Sequence, residues 1–179
     1  EDLEITPLPA WIRSDVKAEA LREGSLTDLS ILDRQLTVKI ARAFSMHNWV
    51  EEVRRVSKHH PARVEVELVY RQPVAMVEVV ISGRDGLLPI DINGTLLPPG
   101  DFSFEQARDY LRISLPDTMP AGSVGTAWGD PRVHAAARIA AVLREHWKEL
   151  GLYRVALIPS GSRSGAAEEP RYMLSTRQG

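Results

Sequence analysis

Trp49–Val79, WVEEVRRVSKHHPARVEVELVYRQPVAMVEV, decides the fold. Val64, Val66, Leu68 and Tyr70 alternate with Glu65, Glu67 and Val69, a period of two that marks a strand with one buried and one wet face. Pro73 interrupts the ladder, because it has no N–H to donate and must lie at an edge, a bulge or a change of direction. Beyond it, Val74–Ile81 is almost wholly apolar. Two differently patterned strands meeting at Arg71, Gln72 and Pro73 predict a junction between two small domains.

Working upstream, Val50, Val53 and Val56 recur every third residue. This spacing fits either a helical turn or a strand whose extra residues sit in β-bulges, and periodicity alone leaves both open. Farther back, Leu32, Leu36, Ile40, Ala43 and Phe44 share one face of a predicted helix over Asp33–Ser45. An earlier helix is predicted from a Ser14 cap to Gly24, with Val16, Ala20 and Leu21 as its apolar stripe. Leu3 and Ile5 predict a short first strand. The predicted order is strand, helix, helix, strand, strand.

Downstream, Val74–Ser82 and Leu87–Ile92 predict strands joined by a turn at Gly83–Gly86, and Asp91-Ile92-Asn93-Gly94 predicts another turn. Ser103 and Gln106 form a capping-box pair opening a helix to about Leu111. Residues 116–128 are loop by composition. Asp130, Pro131 and Gly151 delimit a predicted helix over 131–150, with Val133, Ala136, Ala137, Ala140, Leu143, Trp147 and Leu150 on its inner face. Tyr153–Ile158 and Arg171–Thr176 predict late strands around a linker or hairpin tip at 159–170. Gln178-Gly179 reads as the start of a further turn. Together these elements predict an α+β chain with an N-terminal domain over 1–72 and a mixed-sheet domain over 73–179.

Composition narrows function mainly by exclusion. The 179 residues are 44% hydrophobic, enough for packed cores. A net charge of −2 offers no reason to expect nucleic acid or anionic lipid as the main partner. Local basic runs, Arg54-Arg55 and Lys58-His59-His60, read as solvated surface. With no cysteine, disulfides, thiolate-bound zinc and thiol nucleophiles are excluded. No apolar run approaches the roughly 18 residues of a membrane span. The opening on Glu1 gives the expectation of a piece cut from a longer protein.

No catalytic constellation emerges, so no catalytic, cofactor-binding or metal-binding residue is expected and no cofactor is implied. His59 and His60 are adjacent and point to opposite faces of a strand. His134 and His146 are too far apart on one helix to share a metal. Asp91-x-Asn93-Gly94 lacks the remaining oxygen ligands of a calcium loop and reads as a turn. The glycines Gly122, Gly125 and Gly129 lack the strand-to-helix setting and lysine of a phosphate loop.

Trp49-Val50, Tyr70-Arg71-Gln72-Pro73-Val74-Ala75, the Asp91–Gly94 turn and the tail MLSTRQG (173–179) together resemble the FtsQ/DivIB family of bacterial cell division proteins. Tyr70 stands where that family's motif carries Glu. The overall style is similar to FtsQ-like proteins of planctomycetes. The resemblance implies a POTRA domain followed by a β-domain, with residues 49–58 as a bulged strand. It implies a non-enzymatic scaffold at the periplasmic or extracytoplasmic face of the cytoplasmic membrane, anchored by a single N-terminal membrane helix. Its implied partners are FtsB/DivIC-like and FtsL-like division proteins, taken up by strand addition. Arg171, Tyr172, Met173, Leu174, Ser175 and Thr176 are the nearest candidates for the docking strand. Two other readings compete: a POTRA-type module of an outer-membrane assembly or secretion system, and an envelope hydrolase tested through His134.

Overall fold

A computed structural model describes residues 2–26, 32–158 and 170–176. The fold is α+β, with two mixed sheets and four α-helices among the described residues. The chain divides into two compact units, Glu1–Arg71 and Gln72–Gly179. No helix among the described residues is long and apolar enough to cross a membrane.

The first unit runs β1 (Asp2–Ile5), α1 (Val16–Glu23), α2 (Leu36–Ser45), β2 (Val50–His59) and β3 (Arg63–Tyr70). Its sheet has the order β1-β3-β2, with β1 parallel and β2 antiparallel to the central β3. Val64, Val66 and Leu68 of β3 are buried, as the alternation requires. The three-residue spacing on β2 resolves as a strand, with register shifts between Val50 and Glu52 and between Val53 and Arg55. Each shift absorbs one residue, so Val50, Val53 and Val56 stand opposite Tyr70, Leu68 and Val66 on one face.

Helix α2 buries Leu36, Ile40, Ala43 and Phe44 against this sheet side, but it starts three residues later than Asp33. Asp33 instead accepts the Gln35 N–H at 2.8 Å in a turn, and Leu32, expected on the inner stripe, is 88% exposed. The first-helix cap is Asp15, which accepts from the Ala18 amide, and Ser14 lies one residue outside it. Both serine and aspartate suit a cap, and the backbone places the carboxylate in reach. Tyr70 donates its hydroxyl to the Thr6 carbonyl at 2.6 Å, and burial pushes its pKa up to about 12.

The second unit runs β4 (Ala75–Ile81), β5 (Arg84–Ile90), α3 (Phe104–Arg108), β6 (Arg112–Ser114), α4 (Pro131–Leu143), β7 (Leu152–Leu157) and β8 (Tyr172–Thr176). A single 3-10 turn, Pro99–Asp101, precedes α3. The β4–β5 hairpin closes through Ser82 and Gly83, both at positive φ (51° and 76°), instead of the expected Gly83–Gly86 turn. A two-residue turn with both centres left-handed matches the twist of the flanking strands. The second strand of the hairpin therefore begins at Arg84 and not at Leu87.

The sheet order is β5-β4-β6-β7-β8, with β4, β6 and β7 parallel and the outer strands antiparallel to their neighbours. Strand β6 is absent from the sequence reading. Its three residues occupy the middle of the sheet, too few for a periodicity to register. The capping box of Ser103 and Gln106 is present, although α3 stops at Arg108 and not near Leu111. Asp130 caps α4, and Pro131 takes its first position. That helix ends at Leu143; the following residues turn back, and Leu150 is 57% exposed. Val133, Ala136, Ala137 and Ala140 press its inner face on Val77, Ile113 and Val155, with Trp128 in the same core. The small alanines let helix and sheet approach closely.

The sequence expectations for 159–169 and for Gln178-Gly179 lie outside the described residues.

Candidate functional site

The sheets of the two units end on four outer strands, β1 and β2 in one and β5 and β8 in the other. An outer strand offers unpaired backbone groups to any other chain, and proteins blunt such edges with charge, proline, bulges or shortness. Strand β1 has only four residues and carries Asp2 and Glu4. Strand β2 is bulged and carries Glu51, Glu52, Arg54, Arg55 and Lys58. Strand β5 carries Arg84, Asp85, Gly86 and Pro89, and the Leu97 amide bonds to the Pro89 carbonyl at 2.9 Å.

Strand β8 is also short, but it carries no charge, no proline and no bulge of its own, the one register shift of its ladder lying on β7 between Leu152 and Arg154. Tyr172, Met173, Leu174, Ser175 and Thr176 include no charge, proline or glycine, and Met173 and Leu174 are 54% and 43% exposed. Arg171 lies just before the strand, and its carbonyl accepts the Ile158 amide at 2.8 Å. That bond sets the phase of the ladder. Leu157 faces Tyr172, Ala156 faces Met173 and Val155 faces Leu174. Because bonded and non-bonded pairs alternate between antiparallel strands, Met173 and Ser175 turn their backbone groups toward β7. Tyr172 and Leu174 turn theirs outward, where no described strand pairs with them.

The side chains divide in the same way. Tyr172 packs against the core beneath α4 and donates its hydroxyl to the Arg132 carbonyl at 2.7 Å. Burial and the nearby Asp130 carboxylate raise the Tyr172 pKa, so the phenol remains a donor through neutral pH. Met173 and Ser175 lie on the other face, beyond Arg154 of β7. There Glu78 of β4 bridges Arg154 at 3.0 Å and Arg112 of β6 at 3.5 Å, tying three strands together.

Arg71 is the last residue of the first unit, and its amide bonds to the Trp49 carbonyl at 2.9 Å. Gln72 opens the second unit, and Pro73 precedes β4. These three residues and the β8 strand are separate places in the chain. Among the described residues, no cluster of three or more His, Asp or Glu side chains could hold a metal. His59 stands 3.2 Å from Glu65, and His146 stands 3.5 Å from Glu149. His47, buried at the end of α2, accepts the Trp49 amide at Nδ1, which places its proton on Nε2 toward Glu19 at 3.1 Å.

The polar group missed by sequence reasoning lies around Asp130. Trp128 Nε1 donates to Thr118 Oγ1 at 2.9 Å, and Thr118 donates to Asp130 Oδ2 at 3.2 Å. Arg132 grips the same carboxylate through Nε at 3.1 Å and a terminal nitrogen at 2.7 Å. The Arg132 guanidinium holds the Asp130 pKa below its ordinary value of 3.8. The cap at Asp130 was legible, but the joining of Thr118, Trp128 and Tyr172 to it has no spacing signature.

No protein-family model and no curated protein matches this chain.

Proposed function

We infer that this protein is a non-enzymatic scaffold of the bacterial division machinery, acting at the extracytoplasmic face of the cytoplasmic membrane. In this reading the first unit is a POTRA domain and the second an FtsQ-type β-domain, with a single membrane helix anchoring the whole protein. The second unit takes up a strand from FtsB/DivIC-like and FtsL-like partners. Support comes from the seam motif Tyr70–Ala75 and from the β-α-α-β-β order around a central β3. The observation that carries the reading is the edge of β8, which lacks the charge, proline or bulge found on each of the other outer strands among the described residues. Backbone ladder bonds along such an edge supply affinity, and the exposed Met173 and Leu174 supply selectivity.

Leu174→Pro tests this directly. It deletes an outward N–H while leaving the Met173 and Ser175 bonds to β7, and proline is tolerated where its nitrogen faces out of a sheet. The full chain is titrated with the FtsB/DivIC-like and FtsL-like proteins of the same genome. Wild type and Leu174→Ala bind, and Leu174→Pro loses about tenfold or more in affinity. Equal binding by Leu174→Pro, or no binding by wild type, overturns the reading.

A further inference from the structure

Strand β8 is short, has one strand neighbour among the described residues and carries the half-exposed Met173 and Leu174. Such a strand would ordinarily fray, and a frayed edge must be ordered again each time a partner docks. Besides the packing of the Tyr172 ring on the core, a directional tie opposes this: the hydroxyl of Tyr172 on the carbonyl of Arg132. Arg132 is itself immobilised. Its amide closes the Asp130 cap at 2.9 Å, and its guanidinium lies along the Asp130 carboxylate. The same Asp130 oxygen, Oδ2, also accepts from Thr118, and Thr118 is held by the fully buried Trp128.

The donor directions admit a single arrangement. An indole N–H can only donate, so the Thr118 oxygen accepts from Trp128 and its own proton goes to Asp130. The guanidinium also only donates, so two segments converge on one carboxylate. The chain of bonds joins the loop before α4, the first turn of α4 and the outer strand. The loop and the first turn follow one another in the chain, whereas the outer strand lies 40 residues farther on and shares no ladder with them.

We propose that Trp128, Thr118, Asp130, Arg132 and Tyr172 form a positioning relay that preorganises the β8 edge for strand docking, with Tyr172 as the residue that delivers it to the edge. The proposal rests on the strand-docking reading for its purpose, while its physical content is measurable without a partner.

Amide hydrogen exchange on the full chain tests it, comparing wild type, Tyr172→Phe and Thr118→Val. The Tyr172→Phe variant keeps the ring in the core and removes only the hydroxyl. The relay predicts that exchange at Met173 and Ser175 rises by about three- to tenfold in Tyr172→Phe. It predicts unchanged exchange at Val77 and in the middle of α4. Thr118→Val, which does not touch β8, speeds exchange at Met173 and Ser175 more than at Val77 and the middle of α4. Unchanged β8 exchange in Tyr172→Phe overturns the relay, and so does an equal rise across the whole unit, which reports a general loss of stability. Partner titration separates the two ideas: tight binding by Leu174→Pro sinks the docking reading, whereas the exchange result judges the relay alone.

Discussion

Replacing Thr118 by valine exchanges a hydroxyl for a methyl at nearly constant shape, at a position only 6% exposed. The change removes two hydrogen bonds, one accepted from Trp128 at 2.9 Å and one donated to Asp130 at 3.2 Å. Trp128 is 1% exposed, so its indole N–H is left in the core without its acceptor. An orphaned buried donor costs about 1–3 kcal/mol. Asp130 keeps Arg132, so losing the second bond adds only about 0.5–1 kcal/mol. The sum is a destabilisation of roughly 1.5–4 kcal/mol. Thr118→Ser is the control, because it keeps both bonds and deletes one buried methyl, worth about 1 kcal/mol. Urea unfolding of the full chain, followed by circular dichroism and tryptophan fluorescence, reads both variants. The two units call for a fit that allows two transitions. Valine must come out clearly worse than serine; if the two are equal, or valine is the milder, the network contributes no stability and the reasoning fails.

Two further outcomes follow from the same region. Arg132 depresses the Asp130 pKa, so the contribution of this carboxylate is fully present above its unfolded value and is lost as pH falls through the lowered folded value. Below about pH 4, wild type therefore loses stability that Asp130→Asn has already lost, and the two acid-unfolding curves converge; parallel curves would contradict this. Gly94 has φ of 68°, and a Cβ there would lie 3.3 Å from His134 Cα. Gly94→Ala should destabilise the unit by about 1–3 kcal/mol, measured by the same urea titration. A neutral Gly94→Ala would show that the Asp91–Gly94 turn relaxes at no cost.

The legible parts of the chain are those where one residue's neighbours in sequence are also its neighbours in space. The alternation of Val64, Val66 and Leu68, the inner stripe of α2 from Leu36 to Phe44, the Ser103–Gln106 box and the Asp130-Pro131 start are all local events. Short-range backbone geometry writes them directly into residue spacing. With the apolar pattern around them they predict an α+β chain with a seam near Arg71 and a late strand over Arg171–Thr176, which is observed at Tyr172–Thr176.

Tertiary structure decided the rest. The bulges that bring Val50, Val53 and Val56 onto one face exist only because β3 offers a partner every second residue. Strand β6, three residues long, is a strand only because β4 and β7 lie on either side of it. The same holds for the candidate site. The composition of β8 is visible in the chain, but which strands are outer, which of its amides face outward, and that Tyr172 bonds across to Arg132 depend on contacts 40 residues apart. Local propensity acts over a turn or a pleat, whereas an edge is a property of the assembled sheet.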